Sequence, residues 1–240
     1  MKTVFITGAN TGIGFETARQ LAQLGHFVYL GCRDQAKGLA AINKLRHLGL
    51  SNAEMIEIDI ADIGSVTKAK KELESKIEAL DILINNAGIT GDQPQNISAS
   101  PIENFRKVFD TNYFGTIQTT QQLIPLLKKS RQPVIVNVAS ELGSLTMHTS
   151  LERNPDWDIY NAYGSSKTAV NSFTVMLANE FSDTNFKINS VTPGYTATEL
   201  NDYKGTKTVE EGAGPIVKCA MLDKDGPTGK FFKDGGEVPW

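Results

Sequence analysis

Tyr163 and Lys167 stand four residues apart in the stretch Tyr160-Asn161-Ala162-Tyr163-Gly164-Ser165-Ser166-Lys167. On a helix that spacing puts a phenol and an ammonium on one face, ~6 Å apart along the axis at ~1.5 Å per residue. A cation beside a phenol favours phenolate, lowering the tyrosine pKa toward the range where it exchanges a proton at neutral pH. Tyr160 meets Gly164 at the same offset and lacks such a partner. A half-buried tyrosine covered by a lysine stem has the same pattern, so the meaning of the pair depends on its surroundings.

Thr7-Gly8-Ala9-Asn10-Thr11-Gly12-Ile13-Gly14 follows the first strand-like run and opens the first helical pattern. Glycine is needed where a turn is tight and where backbone must approach a ligand, and the N–H groups of a new helix favour a pyrophosphate. The spacing is Gly-x-x-x-Gly-x-Gly, unlike the better-known Gly-x-Gly-x-x-Gly. Asn85-Asn86-Ala87-Gly88 ends the fourth strand-like run, where small residues let a ribose lie over the strand end and asparagines hold the loop. Asn112 lies in a long helical pattern, and Ser140 ends the apolar run 135–139. The carboxyl end of a parallel strand faces the crevice in which open α/β sheets bind ligands.

Positioning these groups requires alternating elements. Short apolar or β-branched runs at 4–7, 27–30, 55–58, 82–85, 134–138, 187–191 and 229–232 read as strands. Helical patterns fall at 13–24, 35–48, 64–78, 101–129, 159–181 and 208–222. Near-continuous apolar runs point to a parallel sheet covered on both faces. With right-handed crossovers, the alternation predicts one doubly wound α/β sheet in a single domain over residues 1–240. Residues 143–158 read as a long loop leading into the Tyr163 helix, and 193–207 as a loop on the ligand-binding edge.

A net charge of -3 and basic clusters at 68–71 and 128–131 that read as solvated helix faces argue against a nucleic-acid surface. Cys32 and Cys219 form no paired pattern, and His26, His47 and His148 lack metal-ligand spacing, so no metal site is expected. No apolar stretch approaches the ~18 residues needed to span a bilayer, and the N-terminus lacks a signal-peptide pattern. The expected location is the cytoplasm.

Taken in order, Thr-Gly-x-x-x-Gly-x-Gly at 7–14, Asp59, Asn-Asn-Ala-Gly at 85–88, Asn112, Ser140, Tyr163 with Lys167, and Pro193-Gly194 resemble the short-chain dehydrogenase/reductases over essentially the whole chain. The resemblance implies a Rossmann-like, seven-stranded parallel sheet of order 3-2-1-4-5-6-7, a nicotinamide cofactor, and interconversion of a carbonyl and an alcohol. It implies Tyr163 as the acid that protonates the carbonyl oxygen as hydride arrives, or as the base in reverse. Ser140 would hydrogen-bond the same oxygen, and Lys167 would lower the tyrosine pKa and bind the nicotinamide ribose. Asn112 would hold a water linking Lys167 to solvent. Cofactor contacts are implied at Gly8, Asn10, Thr11, Gly12, Ile13, Gly14, Arg33, Asp59, Ile60, Asn86, Ala87, Gly88, Tyr163, Lys167, Pro193, Gly194, Thr196 and Thr198.

NAD-preferring relatives carry an acid where Cys32 stands. Here Arg33 follows and can fork onto a 2′-phosphate, while Asp34 suits the next helix as a cap, so NADP(H) is expected. Ser140 and Tyr163 are 23 positions apart, a longer spacing than in many relatives. Similar but longer insertions occur in the NADPH-dependent carbonyl reductases, which 31–34 and 85–89 also resemble. Such a segment can block the helix packing used for tetramers, so the choice of monomer or homo-oligomer stays open. Thr196 stands where the family usually has a branched apolar residue, and Thr198 fills the expected threonine place. Met147, His148, Trp157, Tyr195 and Leu200 are candidate pocket walls around a small-molecule carbonyl or alcohol substrate. An apolar pocket with a Ser/Tyr polar pair suits ketones or aldehydes with a hydrophobic substituent. A non-catalytic NADP-sensing protein would be expected to lack part of the Ser/Tyr/Lys set. A 3-ketoacyl thioester reductase would need a basic docking patch, for which Arg153 alone is poor support.

Overall fold

The computed structural model describes residues 1–151 and 154–240, and its strands form one sheet of order β3-β2-β1-β4-β5-β6-β7-β8. Strands β1 (Thr3–Thr7), β2 (Phe27–Cys32), β3 (Ala53–Glu57), β4 (Ile82–Asn85), β5 (Val134–Val138), β6 (Lys187–Val191) and β7 (Phe231–Lys233) pair in parallel. The expected order holds. The addition is β8 (Gly236–Glu237), antiparallel to β7 after a turn at Gly235. Two residues are too short to show a strand period.

Helices α1 (Gly12–Gln23), α2 (Gln35–His47) and α8 (Val209–Ala220) cover one face of the sheet. On the other face lie α3 (Ile63–Lys76), α5 (Gly115–Leu127) and α7 (Asn161–Glu180). Alternation along a strand divides its residues between the two layers: Val4 and Ile6 pack with Leu21 of α1, whereas Phe5 joins the cluster containing Leu73 of α3. Because both layers are apolar, each central strand reads as an unbroken hydrophobic run. Local chemistry starts the helices. Asp34 accepts from Lys37 N at 3.0 Å, Asp62 from Gly64 N at 2.8 Å, and Thr208 forms a capping box with Glu211.

Two expectations change. The single helix expected over 101–129 is interrupted: α4 (Ile102–Phe109) passes into a widened π turn, Asp110–Phe114, before α5 begins. In that turn Gly115 N reaches back five residues to Asp110 O. One extra residue rotates the following face by ~100°, which a helical periodicity read over a long window averages away. Residues 143–158 are not a plain loop either. A 3-10 turn (Glu141–Gly143), the short α6 (Leu145–His148) and a second 3-10 turn (Pro155–Tyr160) occupy much of the segment. Side chains start these pieces, Ser144 accepting from Met147 N at 3.2 Å and Asn154 from Asp156 N at 2.9 Å. One-turn helices leave no apolar period to read.

Candidate active site

The ends of β1, β4, β5 and β6 meet at one edge of the sheet, and side-chain bonds weld them together. Thr7 Oγ1 accepts from Asn86 N and Ala87 N, each at 3.0 Å, while Asn86 Nδ2 donates to Thr7 O at 2.9 Å and Gly8 O at 3.0 Å. Gly8 has a φ of +65°, and a Cβ there would lie 2.9 Å from the Ala87 Cα. Only glycine satisfies both demands.

This turn fits a dinucleotide's pyrophosphate. α1 has no acidic residue in its first turn, and its N-cap, Thr11, makes no side-chain cap bond. The positive end of the helix is thus free to meet an anion. Gly12 lies on the turn, Asn10 is half-buried on it, and Ile13 packs down on the core. From above, the 193–207 segment closes in: a Cβ on Gly12 would come within 3.4 Å of the Thr198 methyl. Gly194, at a φ of +74°, donates its N–H to Thr192 Oγ1 at 3.1 Å. Thr196 turns its hydroxyl back onto Pro193 O and Gly194 O, each at 3.3 Å.

Cys32 and Arg33 stand at the end of β2. Cys32 is buried, which pushes its thiol up to about 11 and leaves it inert. Arg33 is exposed and has no ion-pair partner among the described residues, whereas Asp34 acts as the helix cap. After β3, the Asp59 carboxylate accepts from Ala61 N at 3.0 Å, and Ile60 O accepts from the Gln118 amide.

The proton-handling groups lie where β5 ends. Lys167 is 4% exposed; its Nζ donates to Val138 O at 2.7 Å and sits 5.6 Å from the centroid of the Tyr163 ring. Ser140 reaches the phenol with its side chain and accepts from Leu142 N at 3.3 Å. Asn112, in the π turn, accepts from Ile89 N at 2.8 Å and donates to Ile89 O at 2.9 Å and Ser166 Oγ at 3.0 Å. Ser166 Oγ in turn donates to Tyr163 O at 2.7 Å. A relay water at Asn112 would find its amide protons already engaged, leaving carbonyl lone pairs. Beneath the site, Asn137 Nδ2 donates to Thr174 Oγ1 at 2.8 Å, pinning α7 to β5. Ser166, Gln118 and Gln95, which donates or accepts within this frame, carried no signal in the sequence: none belongs to a spaced motif.

One expectation reverses in sign. Burial pushes Tyr163 up to about 12, against the lowering influence of the Ser140 hydrogen bond. Burial also pulls Lys167 down to about 8. Removing water from a phenolate costs more here than the Ser140 hydrogen bond returns.

The pocket-wall candidates divide. His148 Nε2 pairs with Leu142 O at 2.9 Å and its ring meets the edge of Trp157, with 5.2 Å between centroids. A cleft of about 160 Å³ opens between Leu142, Leu145 and His148 on one side and Asn161, Gly164, Ser165 and Thr168 of α7 on the other. Met147, half-buried, packs on Ala139, Phe231 and Val238. Tyr195 and Leu200 are 50% and 44% exposed on the overhanging segment. Arg153 lies outside the described residues. Among the described residues no cluster of metal-ligating side chains occurs, and no helix is long and apolar enough to cross a membrane.

The profile described as short chain dehydrogenase matches residues 2–208. The chain is 33% identical to (+)-neomenthol dehydrogenase of Capsicum annuum, covering 95% of this chain and 94% of that protein. Salutaridine reductase of Papaver somniferum superposes with a TM-score of 0.85 at 29% identity, covering 98% of this chain and 100% of the other. NADPH-bound carbonyl reductase from chicken fatty liver superposes with a TM-score of 0.84 at 26% identity, covering 100% and 99%.

Two outcomes follow from this geometry. Gly8→Ala forces a side chain into both a positive φ and the Ala87 backbone, and should lower stability by about 2 kcal/mol or more in urea unfolding. Lys167, held below its unfolded pKa, opposes folding while charged, and that opposition is relieved as pH rises above about 8. Relative to Lys167→Met, the parent protein should therefore gain on the order of 2 kcal/mol between pH 7 and 9.5. A pH-independent difference between the two unfolding curves would contradict that assignment.

Proposed function

Because the chain belongs to the short chain dehydrogenase family, an oxidoreductase family, we propose that it reduces a ketone or aldehyde to an alcohol, reversibly, with NADPH as reductant. The observation that carries this reading is a phenol in contact with the Ser140 side chain, a buried ammonium beside its ring, and a glycine turn on the same sheet edge. Gly8, Asn10, Thr11, Gly12, Ile13 and Gly14 would hold the pyrophosphate, and Arg33 the 2′-phosphate. Asp59 and Ile60 would flank the adenine end, and Asn86, Ala87 and Gly88 the adjoining ribose. Tyr163 and Lys167 would meet the nicotinamide ribose, with Pro193, Gly194, Thr196 and Thr198 beside the carboxamide and phosphates. When bound, the reduced nicotinamide supplies the hydride.

This chain's own residues manage the proton. Tyr163 gives its hydroxyl proton to the carbonyl oxygen as charge builds there. Ser140 donates a hydrogen bond to the same oxygen, a preplaced dipole that strengthens as the charge develops. The Lys167 ammonium then faces the phenolate left behind. In the reverse direction Tyr163 takes the proton back. Relatives that include a neomenthol dehydrogenase, a salutaridine reductase and a carbonyl reductase support a carbonyl substrate. No single substrate is carried over, since the pepper relative aligns over 296 residues against this chain's 240 and so has segments this chain lacks. The exposed Tyr195 and Leu200 favour a hydrophobic substituent. We place this chemistry in the cytoplasm.

In a spectrophotometric panel of aldehydes, ketones and diketones, NADPH oxidation is expected, and Tyr163→Phe should lower kcat by ~10²-fold or more while NADPH still binds. Silence of the parent across the panel, with cofactor bound, would defeat the enzymatic reading. Arg33→Ala should raise the KM for NADPH by about 10-fold and leave that for NADH unchanged. Equal efficiency with both cofactors, indifferent to Arg33, would remove the NADPH assignment.

A further inference from the structure

We infer that Gln95 is a positioning residue for the proton donor, acting through the main chain of Tyr163; this rests on Tyr163 being that donor. Gln95 is 0% exposed yet lies in the irregular segment between β4 and α4. Its Oε1 accepts from Tyr163 N at 3.0 Å, its Nε2 donates to Thr90 O at 2.6 Å, and its main-chain N donates to Ile159 O at 3.0 Å. The first bond ties the first turn of α7 to the chain that leaves β4, the third ties to that chain the 3-10 turn just before α7, and the second holds the Gln95 amide within its own segment.

The location of these bonds sets their consequence. Tyr163 N–H is among the first-turn amides of α7 that have no acceptor within the helix, and Tyr160, the N-cap residue, makes no side-chain cap bond. Gln95 supplies the missing acceptor from 68 residues away in sequence. A helical side chain leans toward the N-terminus and covers the turn before its own Cα. The phenol of Tyr163 thus rests on the turn that frays first when a cap is lost. Lys167, one turn later, has a separate anchor in Val138 O. Loss of Gln95 would free the phenol without freeing the ammonium, disturbing their mutual placement.

The segment bearing Gln95 is stiff enough to act as a brace. The Asn112 side chain pairs with both the N–H and the C=O of Ile89. The Asn104 side chain does the same for Asp92, at 3.0 and 2.7 Å. Each mimics a peptide partner, so a stretch without a helix or strand is fixed nearly as a strand would be. It connects Gly88, which faces Lys167 and Asn112, to the start of the helix that carries the phenol.

The test compares the full chain with Gln95→Met, which keeps the volume and makes neither bond, and with Gln95→Glu, which keeps an acceptor for Tyr163 N–H. We expect Gln95→Met to lower kcat at least 10-fold, with KM and the NADPH dissociation constant within threefold of the parent. The alkaline limb of its kcat profile should shift, because the phenol no longer meets Ser140 at a fixed distance. Gln95→Glu should recover most of kcat. A Gln95→Met protein with lowered melting temperature but parental kcat and pH profile would overturn the inference, leaving Gln95 a purely structural residue. If Gln95→Met does not fold, Gln95→Asn decides: the same amide one methylene short is expected to show the same kcat loss, and parental kcat would overturn the inference. A parent protein inactive on every carbonyl sinks the functional reading instead. Even then, parental hydrogen-exchange protection of the Tyr163 amide in Gln95→Met would by itself refute the cap.

Discussion

The ammonium of Lys167 donates to Val138 O at the point where β5 ends, and it is almost wholly removed from solvent. An isolated cation so placed is unfavourable unless neighbouring dipoles replace its water. Here one carbonyl and an aromatic face do so only in part, which is why burial draws the group down to about 8. It remains charged at neutral pH, though without much margin. Most of the surrounding architecture keeps this compromise geometrically fixed, because a buried charge free to wander would find water and cease to act on the phenol.

That rigidity comes largely from side-chain amides. Asn86 bridges Thr7 O and Gly8 O, Asn112 clamps Ile89, Asn137 reaches Thr174, and Gln95 reaches Tyr163. A parallel sheet joins its strands through long crossovers, so its strand ends have no hairpins to register them. Buried amides supply the register instead, each fixing one loop to another at a defined distance. Such bonds contribute little to net stability, but leaving one end unmade is costly, so the arrangement is sharply specified. The Thr196 hydroxyl shows the same economy: in the place of a branched apolar residue, it satisfies Pro193 O and Gly194 O within its own loop.

The parallel strands could be read from the sequence because cover on both faces leaves continuous apolar runs such as Val134 to Val138. The Gly8 turn was legible for a different reason, since no other residue type tolerates its φ and its neighbour. The π turn around Asn112 was not, because its single extra residue hides within an otherwise helical composition. The spacing of Tyr163 and Lys167 foretold their proximity but gave the wrong direction for the phenol. Proximity is a local property of one helix, whereas desolvation is set by everything packed around the ring, including Ser140 from another element. Gln95 was invisible for the same cause: its meaning lies in a contact across 68 residues.

The upward displacement of Tyr163 bears on the direction of the proposed chemistry. A phenol held at about 12 keeps its proton throughout the neutral range and enters the reaction as a donor. An alkoxide forming from a carbonyl is a stronger base than phenolate, so it draws the proton from such a donor. The reverse direction begins from phenolate, which this dry setting disfavours, and the Lys167 charge together with the Ser140 hydroxyl must offset the deficit. As pH rises past 8, Lys167 loses its proton well before the phenol does, so the support for phenolate fades before phenolate becomes abundant. The same burial that fixes the geometry thus keeps the phenol in its protonated form through the neutral range.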